Sequence, residues 1–301
     1  MTLIPFDDRD GYIWMNGEMK PWREAKLHVL SHGLHYGGSV FEGERVYDGE
    51  VFKLTEHSER LIRSAEMLDM IVPYTAKELD ELTLEVIEAN NIVNGYVRPV
   101  AWRGSEQMAI SATMASVHVA IACWEWPKYF FAKAGEDKGI SLQTAQWRRP
   151  DPTTVPVQSK AAGVYMISTM AKHNADRNGY DDVLMHDYKG RVAESSGSNI
   201  FFVKDGALKT PVPECFLNGI TRQTVIQIAK EIGVDVDVTT IMPDEVNSFD
   251  EVFVTGTAAE ITAVGKIDNK EFAVGPVTKR FQEFYGDLVR NKATIEKRAA
   301  S

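Results

Sequence analysis

Four dipeptides, Asn16-Gly17, Asp48-Gly49, Lys189-Gly190 and Asp205-Gly206, each stand between two short runs rich in apolar residues. Asn-Gly and Asp-Gly reach positive φ at little cost, so such runs turn back on themselves as antiparallel hairpins. "GYIWMNGEM", "VYDGEVFKL", "DDVLMHDYKGRVAES" and "SNIFFVKDGALKTP" therefore read as four hairpins. Helical patterns fall between them, at about 55–69, 75–90, 163–178 and 221–232, with a last one in "PVTKRFQEFYGDLV". The second carries a capping box, Thr75 with Glu78, and an apolar stripe of Leu79, Leu82, Val86 and Ala89. Val225, Ile228, Ala229 and Ile232 form the stripe of the fourth. Gly179 and Gly233 stop the third and fourth helices. "GYVRPVAW", "SVHVAIACW", residues 140–147, the alternating "VDVDV" and "EVFVTGTAAEI" read as further strands, the alternating one half-buried. Hairpins outnumber strand–helix–strand units, which argues for a mixed α+β and α/β chain and against a Rossmann order.

A chain of 301 residues, 44% of them apolar, can build one large domain or two of ordinary size. Residues 125–138, "EWPKYFFAKAGEDK", open on proline and aromatics and close on glycine and charges. They read as a linker, giving an N-terminal domain over 1–125, a linker over 126–138 and a C-terminal domain over 139–301. The net charge of −10 argues against a nucleic-acid partner held by a basic face. Cys123 and Cys215 form no CxxC pair, and the simplest reading is a reduced, cytoplasmic protein. "MTLIPFDDRDGY" has neither the basic nor the apolar region of a signal peptide, and no apolar run reaches membrane-span length.

The chemistry-bearing residues start with Lys160. "SKAAG" surrounds it with very small side chains just ahead of an apolar helix. Burial there would disfavour the ammonium and supply a neutral amine, and small neighbours would leave room for a flat partner. Glu194 closes a hairpin strand before the tight turn Ser195-Ser196-Gly197-Ser198, where a carboxylate could hold a protonated ring nitrogen; it could equally be an ordinary turn glutamate. "LNGITRQ" sets Gly219, Ile220 and Thr221 at a helix start, where unsatisfied N–H groups and the helix dipole favour an anion. Simple capping is the alternative for Thr221. "VTGTAAEI" sets Gly256, Thr257 and Ala258 just past a strand. Arg60, on a helix beside Leu61, Ala65 and Leu68, could clamp a phosphate bidentately, with Arg63 as its nearest competitor. His32 and His35 are three apart with no third ligand in register, so no metal site is expected. A lysine, a carboxylate, two anion-binding turns and an arginine match what pyridoxal phosphate requires.

Seven motifs in this order, "HGLHYGGSVFEGER", "EHSERL", "YVRP", "SKAAGVY", "VAESSGSNIFFVKDG", "LNGITRQ" and "VTGTAAEIT", resemble the class IV aminotransferases, the fold-type IV pyridoxal-phosphate enzymes. Within them the chain is most similar to the branched-chain amino acid aminotransferases, from about Tyr12 to Leu288. The resemblance implies a two-domain fold, with a smaller N-terminal α/β domain and a larger C-terminal domain built as a pseudo-barrel of hairpins. It implies a homodimer or higher homo-oligomer with shared active sites. It implies that Lys160 bonds the cofactor as a Schiff base and shuttles the proton, and that Glu194 pairs with the pyridine nitrogen. Arg60, Gly219, Ile220, Thr221, Gly256 and Thr257 would hold the phosphate, with Tyr165, Ser198 and Asn199 completing the cofactor set. Thr257 and Ala258 would offer N–H groups to the substrate α-carboxylate. Tyr36, Phe41, Gly43, Tyr96, Arg98, Trp126 and Tyr129 would line the substrate pocket, Tyr36 and Arg98 receiving the second carboxylate of glutamate. Arg98 precedes Pro99, so its strand is expected at a sheet edge or a bulge.

The implied reaction is transfer of an amino group from L-leucine, L-isoleucine or L-valine to 2-oxoglutarate by a ping-pong mechanism. A D-amino acid or (R)-amine transaminase and an aminodeoxychorismate lyase share the fold and the lysine. The D-amino acid branch carries an Arg-x-His pair, whereas here no histidine follows Arg103 before His118. "RGSEQMAISA" departs from the more glycine-rich loop of the enteric enzymes. Glu44 would put a charge near the pocket mouth.

Overall fold

The computed structural model describes residues 4–126 and 138–290. Residues 127–137 of the expected linker, Tyr129 among them, lie outside the described residues. The chain divides into two compact units, Met1–Pro127 with Ser159–Gly163, and Lys128–Gln158 with Val164–Ser301.

In the first unit, β1 (Tyr12–Met15), β2 (Glu18–Pro21), β3 (Ser39–Phe41), β4 (Glu44–Tyr47), β5 (Glu50–Val51), β6 (Gly95–Arg103) and β7 (Val117–Glu125) form a seven-stranded sheet. The order is β2-β1-β7-β6-β4-β5, with β3 also on β6, and every pairing is antiparallel. Both expected hairpins are present, because Asn16, Gly17, Asp48 and Gly49 all sit at positive φ. α1 (His32–Tyr36), α2 (Leu54–Glu66) and α3 (Ala76–Ala89) complete the unit. The Thr75–Glu78 capping box forms as expected. The stripe of α3 shifts, however: Leu79 and Val86 are buried together with Thr83 and Ile87, while Ala89 is exposed.

The strand carrying Arg98 is an interior one, contrary to the edge expected from Pro99. β6 pairs with β7 along its whole length, and β3 and β4 share its other side. Glu42 and Gly43 lie in the break between β3 and β4, and the Glu42 N–H donates to the Pro99 carbonyl at 2.8 Å. A residue's N and C=O point to the same side of a strand, so the donor that proline lacks faces this break, where no ladder bond is lost.

The second unit holds β8 (Ile140–Thr144), β9 (Asp182–His186), β10 (Val192–Glu194), β11 (Asn199–Lys204), β12 (Ala207–Pro211), β13 (Val236–Thr239), β14 (Glu251–Gly256), β15 (Glu260–Ile267) and β16 (Lys270–Glu271). The sheet runs β10-β9-β8-β15-β14-β11-β12-β13, with β16 on β15, and β10 pairs again with β11. That last pairing, Glu194 opposite Asn199, closes six strands into a barrel. Hairpins supply most of its seams, while β8 lies parallel to both β9 and β15. The run "NIFFV" is buried on both faces: Phe201 stacks on Phe253, and Phe202 packs on Phe249. Phe253 in turn stacks on Phe281 of α6 (Pro276–Leu288), the last of three helices after α4 (Tyr165–Arg177) and α5 (Ile220–Glu231). Buried Glu251 accepts from the Val277 and Thr278 N–H groups, the favourable place for a carboxylate at a helix start. "VDVDV" forms β13, an edge strand parallel to β12 with Val238 44% exposed, so its alternation marks no half-buried face. Both cysteines are free and buried. Among the described residues no helix is long and apolar enough to cross a membrane.

Glu44 is the outlier of the first unit's core. It lies on β4 at 0% exposure rather than at a pocket mouth, and neither carboxyl oxygen has a hydrogen-bond partner. Burial, then Glu42 and Asp80, push its carboxyl well above the usual range, against a smaller opposing effect of Arg60. The folded chain thus keeps a proton that the unfolded chain releases, and stability must fall as pH rises above the ordinary carboxylate range. Glu44→Gln removes this penalty. By urea unfolding, the variant should match the parent near pH 4 and exceed it by about 1–3 kcal/mol at pH 8; parallel pH curves for the two proteins would refute this.

Candidate active site

In the first unit Lys160 is pinned through its backbone. Its N–H donates to Ser64 Oγ at 3.0 Å, and its carbonyl accepts from the Phe41 N–H at 3.2 Å. Ser159 Oγ donates to the Ser64 carbonyl at 2.8 Å, and Ala161 bridges Val40 of β3. The short segment is therefore tied to both α2 and β3. The side chain of Lys160 is half-buried rather than buried, with Nζ 4.7 Å from the centre of the Phe41 ring. Ala161 is buried and its size answers to packing against β3, whereas Ala162 and Gly163 are exposed.

Phe41 links this lysine to the expected pocket residues. The Arg98 guanidinium lies 4.8 Å over the same Phe41 ring and 5.3 Å over Tyr96. Arg98 Nη2 donates to Tyr96 Oη at 3.2 Å, while its buried Nε has no partner among the described residues. The Tyr96 ring packs on Trp124 and Trp126. Gly43 is required under it, since a Cβ there would stand 1.8 Å from Tyr96 Oη. Phe41, Gly43, Tyr96, Arg98 and Trp126 thus form one aromatic-walled cluster with a cation in it. Tyr36 sits at the end of α1, exposed, with its ring 4.7 Å from that of His32. His32 Nε2 and His35 Nε2 face the Ala109 and Val29 carbonyls, respectively.

Arg60 is engaged by a residue absent from the expected set. Its Nε and Nη2 donate to Glu42 Oε1 and Oε2 at 2.6 and 2.8 Å. His57 Nδ1 stands 2.6 Å from the same carboxylate, which is fully buried. Burial alone would raise the Glu42 carboxyl, but Arg60 and then His57 outweigh it and hold it well below the usual range. Burial pushes His57 down, against the pull of Glu42. A neutral imidazole facing an ionised carboxylate must carry its proton on Nδ1.

In the second unit the remaining expected residues gather where the barrel closes. Glu194 is buried and paired with buried Arg149 at 3.2 Å. Asn199 connects the neighbouring parts: its Nδ2 donates to Glu194 at 3.3 Å, and its Oδ1 accepts from the Gly219 N–H at 3.1 Å. A Cβ on Gly219 would meet that Oδ1 at 2.4 Å, so glycine is needed there. Gly219 precedes α5 as its N-cap without a side-chain cap, and the first turn holds no acidic residue. Thr221, buried, lies inside the helix and does not cap it. Gly256 ends β14 beside Ser198, whose Oγ would stand 2.8 Å from a Cβ at that position. Thr257 and Ala258 follow in the turn to β15, and Tyr165 opens α4, half-buried.

Three contributors escaped the sequence reading: Glu42, Ser64 and Arg149. Glu42 lies inside the "FEG" motif, but nothing in a linear string says which arginine a carboxylate meets. Arg149 sits in the proline-rich "RRPDPTTVP" stretch, where charged residues ordinarily face water.

The family model for amino-transferase class IV matches residues 39–267. A probable branched-chain-amino-acid aminotransferase of Rickettsia felis is 44% identical over 295 residues, covering 96% of this chain and 100% of that protein. The branched-chain-amino-acid aminotransferase of Escherichia coli K12 is 42% identical over 285 residues, covering 91% of this chain and 92% of its own. Among solved structures, a thermophile's branched-chain amino acid aminotransferase with pyridoxamine 5'-phosphate superposes at a TM-score of 0.91 with 40% identity, covering 95% of this chain and 96% of that one. The same enzyme complexed with N-(5'-phosphopyridoxyl)-L-glutamate gives 0.90. With a family match over most of its length, and with relatives of this identity and coverage, the chain belongs to the class IV aminotransferases.

Proposed function

We propose that the protein is a pyridoxal-phosphate-dependent transaminase that takes the amino group of L-leucine, L-isoleucine or L-valine and passes it to 2-oxoglutarate, the two half-reactions alternating. One observation carries this reading: the Lys160 amine and the Arg98 guanidinium share the Phe41 ring, at 4.7 and 4.8 Å. A nucleophilic amine beside an aromatic wall that also holds a cation suits a substrate position taken in turn by an aliphatic side chain and by a carboxylate. Solved relatives that hold pyridoxamine phosphate and a phosphopyridoxyl-glutamate support it.

The residues present fit the cofactor. Glu194 is a buried carboxylate already oriented by Arg149 and Asn199, and α5 starts with an uncapped, acid-free turn suited to a phosphate. When bound, the cofactor would supply an electrophilic carbon and an electron-withdrawing ring. Lys160 would bond that carbon, leave it for the substrate amine, and then hold and return the proton at the substrate Cα. Glu194 would accept from the ring N–H and keep it protonated, and Tyr165 would stand near the phenolic oxygen. Arg60, Gly219, Ile220, Thr221, Gly256 and Thr257 would hold the phosphate, with Ser198 and Asn199 framing these turns. Thr257 and Ala258 would receive the α-carboxylate through their N–H groups. Phe41, Gly43, Tyr96, Trp126 and Tyr129 would wall the side-chain pocket, and Tyr36 with Arg98 would take the second carboxylate of glutamate.

The N-terminal domain over 1–125, the linker and the C-terminal domain over 139–301 remain part of this reading, as do a cytoplasmic location and a homo-oligomer. Exposed Val29, Leu30, Leu34 and Ile110 support assembly, because they lie in two stretches joined by the His32–Ala109 contact and together form an apolar surface.

Purified protein given pyridoxal phosphate should show the visible absorption of a lysine-bound cofactor, which L-leucine bleaches and D-alanine or (R)-1-phenylethylamine does not. Lys160→Ala should lose both the band and its bleaching; protein that stays colourless with added cofactor refutes the proposal. Arg98→Ala should raise KM for glutamate and 2-oxoglutarate about 10–100-fold, as expected for a lost charge-assisted bond, and that for leucine by less than about threefold. Equal losses for both substrates would remove Arg98 from the second-carboxylate role.

A further inference from the structure

An arginine meant to meet a phosphate does best with its whole charge available, yet Arg60 shares its guanidinium with a carboxylate. Two of its nitrogens are given to Glu42, at 2.6 and 2.8 Å, in the coplanar two-bond arrangement that fixes both the plane and the rotation of the fork. The carboxylate is itself immobile. It is fully buried, it sits in the break between β3 and β4, and Oε2 also receives His57 Nδ1 at 2.6 Å and the Gly43 N–H at 3.2 Å. His57 and Arg60 are three residues apart on α2, so both reach Glu42 from one side of the helix. A free arginine side chain keeps about 2 kcal/mol of rotamer entropy that binding must remove. Here most of that freedom is already removed by the fold.

We propose that Glu42 and His57 are positioning residues for Arg60, with the imidazole holding the buried carboxylate and the carboxylate fixing the guanidinium in the plane from which it meets the cofactor phosphate. This rests on the reading of Arg60 as a phosphate donor. Charge acts the other way, because Glu42 offsets part of the positive charge a phosphate would feel. Orientation must therefore outweigh charge.

Titrating full-length protein with pyridoxal phosphate and with pyridoxal, which lacks the phosphate, separates the possibilities through the ratio of the two affinities. Arg60→Ala should collapse that ratio. Glu42→Gln, nearly the same shape without the charge, should weaken pyridoxal phosphate about tenfold, the scale of one charge-assisted bond, while pyridoxal changes less than about twofold. In an Arg60→Ala background Glu42→Gln should add nothing. His57→Asn keeps a donor near the Nδ1 position and should preserve the ratio, whereas His57→Phe should lower it; this pair carries the comparison if Glu42→Gln does not fold. Equal losses for both ligands, full additivity with Arg60→Ala, or unchanged or tighter pyridoxal phosphate binding in Glu42→Gln would each overturn the positioning role. An unchanged ratio in Arg60→Ala would instead refute the phosphate assignment of Arg60 itself.

Discussion

A carboxylate removed from water must be met by donors or give up its charge, and both units are organised around that requirement. Glu42 meets Arg60, His57 and a backbone N–H. Glu194 meets Arg149 and Asn199, and Glu251 meets the first turn of α6. Each joins elements that are distant in sequence: a strand break to α2, the barrel seam to the loop before α4, β14 to the last helix. Glu44 shows the other outcome, buried without donors and pushed toward its neutral form.

The closing seam of the barrel illustrates how structure and chemistry coincide. Its pairing is Glu194 opposite Asn199. Asn199 also reaches the Gly219 N–H, so the residue that closes the sheet also sets the turn before α5. The glycine at 219 is needed because the amide oxygen of Asn199 occupies the space of a side chain. Orientation by neighbours whose own positions are fixed by packing gives a site its precision.

The local elements were readable because their causes are local. Asn16-Gly17 and Asp48-Gly49 turn on their own φ preferences, and the Thr75–Glu78 box closes within one turn of helix. Lys160, Glu194 and the Gly219–Thr221 turn stood out because their residue types are unusual for their settings. Pro99 misled because its missing donor counts against an interior strand unless the facing strand is broken there. The alternation of "VDVDV" misled because period two is shared by half-buried and edge strands. Ala161 looked like space for a ligand but is packing against Val40.

By itself the sequence determined the hairpins, the helix limits to within a residue or a few, and the membership in a family whose motifs stand in order along the chain. Those depend on residue type and spacing, which are one-dimensional properties. Only the tertiary structure decided that six strands close at Glu194 and Asn199, that Arg60 is held by Glu42, that Ser64 pins Lys160 through its backbone, and that Arg149 balances Glu194. These partners are 18, 96 and 45 residues apart in the last three cases. Which charge meets which across such distances is set by how the sheets stack their side chains, because burial leaves each ion no solvent to turn to.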